Sequence, residues 1–497
     1  MKKVFSFILM LALLLTTTAC VKTPETSEQE SSSQDLSKAE SFDESYTNYN
    51  GLEFKILTFT NDRTADGFSH FGYGDELEEN VVNIAIDKRN AAVEENYNIK
   101  IVEEAINDPD RIRGQAYTDF INIAQSQTDD YYMICPSMYS AASLAQEGYL
   151  VDLLSLDKLN NLEANWWDQY FVDEISIDDK LYFVTGDMCM YSRTSLFITF
   201  FNKALIDKYD LDNPYDMVDN KTWTIDKMYS MAKIISQDLD SNSLIDYHDI
   251  YGIGGQVDTI WFWFYAFGGR LASKGSNGQP ILTIYNEKNQ EVVSTILKVL
   301  QDHTCYVNAN NYWDRTSEFI TTPTELLRNA FVDGNSLFLI TDIQGINTIQ
   351  DMKEADFGIL PYPLFDENQT DYAHIMNCWG ANALAIPQYI GTEKIVIASE
   401  IMEALGEETM NTVTPAFYEI MLQKQKTRDP ESIKMLDIIF NTIGCDLGHV
   451  YNWGSMPYML NDLVMNQTLN FTSQWDSIKD KAQTELDATI ASFEALE

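Results

Sequence analysis

The first folded stretch of the chain alternates between a strand pattern and a helix pattern. Residues 51–59 (GLEFKILTF) alternate apolar and polar positions, which predicts a strand, and residues 78–96 carry apolar positions at helical spacing. Residues 97–102 (YNIKIV) predict the next strand, and a helix over 115–127 leads to the buried strand pattern YYMIC at 131–135. A strand–helix–strand opening is typical of a mostly parallel sheet with helices on its faces. The pattern therefore predicts an α/β fold.

The ends of these predicted strands supply the first candidate ligand contacts. In open α/β sheets, ligands bind at the edge formed by the carboxyl ends of the strands. Asn61 and Asp62 follow the first strand, and Ser137, Met138 and Tyr139 follow YYMIC. We expect these side chains to face a binding cleft.

The N-terminus has the pattern of an export signal. Two lysines precede an apolar run over residues 4–15, which is shorter than the roughly 20 residues that span a membrane. The sequence TTAC ending at Cys20 resembles the bacterial lipobox, in which the signal is cut before a cysteine that is then lipidated. We expect a signal peptide over 1–19 and a lipid on Cys20; simple secretory cleavage after Ala19 remains an alternative. Residues 20–48 carry too little apolar surface to offset chain entropy, which predicts a flexible linker.

Composition narrows the classes of function. A formal net charge of −43 without a basic stripe repels phosphate backbones, so nucleic acid is not expected as a partner. No second apolar run reaches membrane length, and the N-terminal lipid is the only expected membrane contact. The remaining cysteines lie far apart without a CxxC pair, which argues against a zinc ribbon or a disulfide framework. We expect them to be buried; they are Cys135, Cys189, Cys305, Cys378 and Cys445.

Catalytic motifs are missing from the sequence. The five histidines show no HExxH spacing, and there is no GxxxxGK[ST] phosphate-binding loop. Many carboxylates are present, but nothing marks two of them as the pair that a glycosidase needs. We therefore predict that the protein is not an enzyme and needs no cofactor, and a surface glycoside hydrolase stays open as an alternative.

Several weak motifs follow one another in a recognisable order. FNK at 201–203 and TW at 222–223 are followed by FVDGNSLFLITD at 331–342, DFGILPYPLFDENQ at 356–369 and a segment beginning WGANALAIPQ at 379–405. This order resembles that of bacterial extracellular solute-binding proteins of family 1, the substrate-binding lipoproteins of carbohydrate ABC importers. The resemblance covers nearly the whole chain after the linker.

The resemblance implies a two-lobed fold of the periplasmic-binding-protein type II class. Each lobe is a mostly parallel sheet flanked by helices, and a hinge joins the lobes. Lobe 1 is expected over 49–192 with 358–405, and lobe 2 over 193–357 with 406–497.

The implied function is capture of a carbohydrate, either a mono- or an oligosaccharide, between the lobes. The protein would act as a monomer at the outer face of a bacterial cell membrane and deliver the sugar to the permease subunits of an ABC transporter. Alternatives are a binding protein for another polar solute, such as a peptide, polyamine or polyol, and a sensor or adhesin lipoprotein without transport.

A sugar site combines flat aromatic rings with hydrogen-bonding groups at their edges. The chain contains nine tryptophans. Trp223 opens a helix and is interpreted as packing. The resemblance and the strand ends together predict ligand contacts at Asn61, Asp62, Ser137, Met138, Tyr139, Asp187, Tyr191, Arg193, Asp258, Trp261, Asp342, Trp379 and Trp453.

The segment DLDSNSLIDYHD at 238–249 has the ligand spacing of an EF-hand-type calcium loop. Ser243 stands where such loops usually carry glycine, and the twelfth position is the shorter aspartate. A structural Ca²⁺ is predicted, with a solvated acidic turn as the alternative. The predicted ligands are Asp238, Asp240, Asn242, Leu244 through its carbonyl, Asp246 and Asp249.

Overall fold

A computed structural model describes residues 46–61, 70–72, 80–127, 131–159, 161–318, 321–353, 355–426 and 429–496. The predicted signal peptide, Cys20 and Asp62 lie outside these ranges. The described residues belong to one compact unit, Asp43–Glu497. The last residues of the predicted linker are part of this unit: Thr47 donates a hydrogen bond of 3.0 Å to Glu400, and the ring of Tyr46 packs 5.2 Å from that of Tyr97.

Strands and helices alternate along much of the described chain. The strands are β1 (Leu52–Thr60), β2 (Ile99–Asn107), β3 (Met133–Cys135), β4 (Phe197–Asn202), β5 (Tyr251–Gly255), β6 (Ala272–Lys274), β7 (Pro280–Leu282), β8 (Tyr306–Asn308), β9 (Ser336–Asp342), β10 (Phe357–Leu360), β11 (His374–Ile375) and β12 (Ile443–Gly444).

The α-helices are α1 (Val81–Tyr97), α2 (Gln115–Ser126), α3 (Met138–Gln146), α4 (Gln169–Ile175), α5 (Met190–Thr194), α6 (Lys203–Lys208), α7 (Pro214–Asp219), α8 (Ile225–Ile235), α9 (Thr259–Ala266), α10 (Glu287–Leu300), α11 (Pro323–Val332), α12 (Ile346–Ile349), α13 (Thr392–Lys426), α14 (Glu431–Phe440), α15 (Leu447–Val450), α16 (Met456–Met465) and α17 (Phe471–Ala495). Short 3-10 helices cover Leu153–Ser155, Ala309–Glu318, Ile343–Gly345, Gln388–Ile390 and Trp453–Ser455.

The first sheet has the parallel order β2-β1-β3, which confirms the strands predicted from the opening pattern. Residues 377–387, here called the return segment, run beside β3. Ile134 and Ala385 exchange backbone hydrogen bonds of 2.9 and 3.0 Å, and Leu384 exchanges a second pair with Val184. The first sheet is thus completed by a part of the chain that lies about 250 residues later in sequence.

The second sheet has the order β10-β4-β9-β5-β8. Strands β5, β8 and β9 run parallel to one another, whereas β4 is antiparallel to β9 and β10 is antiparallel to β4. Helix α8 lies directly on β5: a Cβ atom added at Gly252 would sit 2.3 Å from the Cβ of Ala232, so only glycine fits there. Glycine in β5 therefore sets how closely helix and sheet approach.

The strand pairings show where the chain passes from the first sheet to the second. The first passage lies between Val184, paired with the return segment, and Phe197 at the start of β4, which spans the boundary expected at 192/193. The boundary expected at 357/358 falls inside β10, which pairs with β4 in the second sheet. The one expected at 405/406 falls inside α13, where Thr409 still accepts a 3.3 Å hydrogen bond from Arg89 of α1. A continuous helix carries the chain past that point.

None of the helices in the described ranges is long and apolar enough to cross a membrane. The five cysteines after Cys20 are buried and form no disulfide, as expected.

Candidate ligand-binding cavity

A cavity of about 550 Å³ lies at one edge of the second sheet. Gln256 follows β5, Asn310 follows β8 and Asp342 ends β9, so the carboxyl ends of the three parallel strands meet at this edge. Phe197, the first residue of the antiparallel β4, completes it. This is the edge at which open α/β sheets bind ligands. The lining residues are Ser195, Phe197, Gln256, Asp258, Trp261, Phe262, Asn310, Trp313, Thr322, Thr324, Arg328, Asp342, Gln344, Asn377, Trp379 and Tyr458.

Four of the residues predicted from sequence come together in this lining: Asp258, Trp261, Asp342 and Trp379. Sequence reasoning missed Gln256 and Asn310, although both directly follow strands of the parallel set. It also missed Trp313, Arg328 and Tyr458. These three lie on a 3-10 helix, on α11 and on α16, and no strand-end rule points to them.

Trp261 is held in a fixed orientation by α9, a helix whose residues are all buried. Its indole Nε1 donates a 2.5 Å hydrogen bond to the carbonyl of Pro457. The rings of Tyr458 and His449 pack edge-on against it, at 5.5 and 5.2 Å between centroids. Burial lowers the pKa of His449 to about 3, so this imidazole is neutral. The next tryptophan of the helix, Trp263, points to a different face because it lies two positions later, and it is fully buried and does not line the cavity.

Asp258 precedes α9 and is partly exposed to the cavity. Its Oδ1 accepts a 2.8 Å hydrogen bond from Nδ2 of Asn461 on α16. Burial raises the pKa of Asp258 to about 6, and the Asn461 hydrogen bond opposes that rise only in part. A pKa of about 6 leaves the carboxyl group mostly ionised at pH 7 and mostly protonated at pH 5.

Asp342 carries its charge in a different setting. Nη2 of Arg328 lies 2.8 and 3.0 Å from the two carboxylate oxygens, and the backbone N–H of Gly345 donates to Oδ1 at 3.1 Å. Arg328 also contacts Glu325 at 3.1 Å. A guanidinium that pairs with two carboxylates fixes the positions of both.

Trp379 lies on the return segment, and a buried arginine anchors its backbone. Nε of Arg111 donates to the carbonyl of Trp379 at 2.9 Å, and Nη2 donates to the carbonyl of Ala381 and to Oδ1 of Asn382, both at 2.8 Å. Nη1 reaches the carbonyl of Phe59 at the end of β1, at 3.2 Å. Arg111 therefore ties the Trp379 wall of the cavity to the first sheet. Burial lowers its pKa to about 10, which leaves it charged at neutral pH.

Five other predicted contacts lie near the carboxyl edge of the first sheet or the first passage, and none of them lines the cavity. Ser137 donates a 2.7 Å hydrogen bond to the carbonyl of Arg111, and Met138 is completely buried. The ring of Tyr139 lies 6.3 Å from that of His449. The remaining two are also buried; they are Asn61 and Tyr191, whose ring lies 4.2 Å from that of His70.

Asp187 and Arg193 form a buried charge cluster outside the cavity. Nη2 of Arg193 contacts Asp168 and lies 3.4 Å from Asp187, which accepts a 2.7 Å hydrogen bond from Thr414 of α13. The cluster joins the segment before β4 to α13. Burial raises the pKa of Asp187 even though Arg193 opposes the rise.

Trp453 and Trp223 belong to the core. Nε1 of Trp453 donates a 2.8 Å hydrogen bond to Thr489 of α17, and its ring stacks on Tyr451 at 5.2 Å. Trp223 is completely buried and donates to the carbonyl of Pro361, which confirms its interpretation as packing.

The predicted calcium loop follows α8, and the antiparallel bridge between Gln237 and Ile250 closes it. Carboxylate oxygens of Asp238, Asp240 and Asp249 lie within 4.8 Å of one another. All three also accept backbone N–H groups of the loop, as do Asp246, at 2.8 Å from His248, and Asn242, at 2.7 Å from Leu244. Ser243, at the usual glycine position, has φ 68°, which such a turn requires. Three of the predicted oxygen ligands are thus close enough to share a cation of the size of Ca²⁺.

Comparisons with known proteins give information on the fold of this chain. Neither a scan against protein-family models nor a search of curated proteins found a match. Among solved structures, an ABC substrate-binding protein from Listeria monocytogenes in complex with cycloalternan is 14% identical, with a TM-score of 0.51, over 87% of this chain and 99% of that one. This chain has the same fold.

Two further structures with this binding-protein fold agree. An ABC transporter solute-binding protein from Thermotoga lettingae, bound with α-D-tagatose, is 13% identical over 88% of this chain and 100% of that one, with a TM-score of 0.51. The GacH receptor of Streptomyces glaucescens, studied unliganded and with acarbose, is 14% identical over 90% and 98%, with a TM-score of 0.50. The two-lobed α/β fold predicted from the sequence is confirmed.

Within the binding-protein fold, the cavity offers two kinds of surface. Indole rings of Trp261, Trp313 and Trp379 give flat apolar area, and Trp313 is 38% exposed. Amide and hydroxyl groups around them both donate and accept hydrogen bonds. Such a lining suits a ligand with apolar faces and a polar rim.

Proposed function

We propose that this protein is an extracellular solute-binding lipoprotein that captures a carbohydrate in the cavity at the second sheet and delivers it to an ABC-transporter permease. The observation that supports this most is the lining itself, where three tryptophans lie among neutral hydrogen-bonding groups at the carboxyl edge of β5, β8 and β9. The solved proteins of the same fold are described with cycloalternan, tagatose and acarbose, which favours a sugar ligand.

The chemistry of a sugar matches this lining. Its C–H faces stack on indole rings, and its hydroxyl groups each need a donor or an acceptor when they leave water. Gln256, Asn310, Thr322, Thr324 and Gln344 supply amide and hydroxyl groups around the cavity. Because a buried hydroxyl left unpaired costs about 1–3 kcal/mol, the placement of these groups selects among stereoisomers.

Closure of the lobes supplies the signal for transport in this proposal. Most of the lining comes from the body of the second sheet, whereas Trp379 is tied to the first sheet through Arg111. A ligand that contacts both parts binds the closed arrangement more tightly than the open one and so shifts the population toward it. The lipid on Cys20 and the linker would keep this body near the permease.

Isothermal titration calorimetry tests the proposal. The purified chain from residue 21 is titrated with mono- and oligosaccharides, short peptides, polyamines and polyols. We expect one saccharide site per chain, and at least tenfold weaker binding in Trp313→Ala than in the control Leu469→Ala, which truncates an exposed leucine that does not line the cavity. Binding of peptides or polyamines without any saccharide contradicts the proposal. Release of reducing sugar from oligosaccharides would point instead to a hydrolase.

A further inference from the structure

The described residues that line the cavity carry more negative than positive charge. Among the described lining residues, the carboxylates and basic groups are Asp258, Asp342 and Arg328. Arg328 and Asp342 neutralise each other through two short contacts. Another nitrogen of Arg328, Nη1, donates a hydrogen bond to Glu325. Asp258 is left as a carboxylate inside the cavity with one neutral donor, Asn461.

Within the part of the chain that the structure describes, the titratable groups that interact with Asp258 supply no positive charge. Three phenols interact electrostatically with Asp258: those of Tyr458 on α16, Tyr306 on β8 and Tyr139 on α3. Burial raises the pKa of each, to about 12 for Tyr458. These phenols are therefore neutral at physiological pH. His449, which packs against Trp261, is neutral as well. On β11, which packs against α9, burial likewise lowers the pKa of His374 to about 3.

Aromatic rings add to the preference for a cation. Trp261 and Tyr458 line the cavity beside Asp258, and a cation over the face of such a ring is stabilised by about 0.5–2 kcal/mol. The formal charge of the whole chain, −43, acts in the same direction at longer range.

We propose that Asp258 is the counter-charge for a protonated amine on the ligand, so that the preferred ligand is an amino sugar rather than a neutral one. This inference rests on the proposed function and specifies its substrate class. A hydrogen bond from an ammonium group to a carboxylate is roughly twice as strong as one between neutral groups. A neutral hydroxyl at the same place leaves the charge of Asp258 uncompensated.

The test compares ligands that differ only at one substituent. Glucose, galactose and mannose, their 2-amino-2-deoxy forms and their N-acetylated forms are titrated as monosaccharides and as β-1,4 disaccharides, at about pH 7 by calorimetry. We expect the amine to bind at least tenfold more tightly than its N-acetylated and hydroxyl counterparts. This preference should disappear in Asp258→Asn and persist in Asp462→Asn, which removes an exposed charge from the residue next to Asn461.

Each outcome has a defined meaning. Loss of the amine preference at about pH 5, where Asp258 is protonated, supports the inference. Equal or tighter binding of the neutral sugars by the wild-type chain overturns it and leaves the proposed function standing. If no saccharide of any kind binds, or only a free polyamine such as spermidine does, both the inference and the proposed function fail. The ligand comparison on the wild-type chain decides even if Asp258→Asn does not fold.

Discussion

The carboxyl edges of the two sheets differ in what occupies them. At the second sheet, the ends of β5, β8 and β9 open onto a cavity, and Asp342 and Gln256 face it. At the first sheet, the described residues after β1 and β3 are buried, and Arg111 fills the space between β1 and the return segment. The same topological rule finds both edges. Whether an edge is open or packed depends on what the rest of the chain brings to it.

Two tryptophans give the sharpest test of this difference between open and packed positions. Trp453 lies in the core against α17, so Trp453→Ala should lower the free energy of unfolding by about 3–5 kcal/mol. Trp379 is partly exposed to the cavity, so Trp379→Ala should leave stability nearly unchanged and weaken saccharide binding at least tenfold. Urea unfolding and calorimetry measure the two effects. A tenfold loss of saccharide affinity in a Trp453→Ala chain that still folds would contradict this difference between the two tryptophans.

Arg111 tests whether the first edge is packed around a charge. Arg111→Ala removes one donor from each of the carbonyls of Phe59, Trp379 and Ala381, and we expect a loss of about 3 kcal/mol in the free energy of unfolding. The matched control is Arg113→Ala, which removes an exposed ion pair with Glu147 and an exposed hydrogen bond to Ser143 and should change stability by less than about 1 kcal/mol. Similar losses in both variants would show that the buried arginine is not the anchor of the return segment.

The calcium prediction concerns a third region, which belongs to neither edge. If the loop at 238–249 binds Ca²⁺, a hundredfold excess of free ion over its Kd should stabilise the fold by about 2.7 kcal/mol. Thermal unfolding with Ca²⁺, with Mg²⁺ and with chelator measures this, and Asp240→Asn should reduce the shift. Saccharide affinity should not change, because these residues do not line the cavity. An unfolding temperature that is identical with Ca²⁺ and with chelator would favour the solvated acidic turn.

The pH dependence of stability probes the open edge. Burial raises the pKa of Asp258 from 3.8 to about 6, so the folded state holds this proton more tightly than the unfolded state. The contribution of Asp258 therefore favours folding at low pH and is lost as pH rises through about 4 to 6. In Asp258→Asn the side chain stays neutral at every pH. We expect the free energy of unfolding of this variant at pH 7 to be about 1 kcal/mol higher than that of the wild type, because solvent in the cavity limits the effect.

Chemical denaturation at pH 4 and pH 7 measures this difference. The variant and the wild type share the other buried acids, including Asp446, whose pKa burial also raises to about 6, so these contributions cancel in the comparison. A gap between variant and wild type that is equal at both pH values contradicts the assignment.

Local pattern and motif order predicted the fold because both depend on neighbours in sequence. Alternation identified β1 and β2, and the chain positions after strands or near a passage located Asp342, Asp258 and Trp379. The rule that ligand contacts follow the carboxyl ends of strands could also have predicted Gln256 and Asn310. The packing at the carboxyl edge of the first sheet could not be predicted by this rule, because Arg111 binds carbonyls 268 to 270 residues away. No local pattern marks one arginine for such a role.

Trp453 was misleading for the same reason. Trp453 lies in the sequence YNWG, and α17 covers it through a hydrogen bond from its indole to Thr489, 36 positions later. The boundary expected at 357/358 falls inside β10 for a related cause, since β10 pairs with β4 across more than 150 residues. Long-range pairing decided each of these features.

A crystal structure of the chain with the saccharide that binds most tightly in calorimetry tests the central claim most directly. We predict that the sugar occupies the cavity, with a ring stacked on Trp313 or Trp379 and a polar group within hydrogen-bonding distance of Asp258. A sugar bound on another surface, with the carboxyl edge of β5, β8 and β9 empty, would contradict the account.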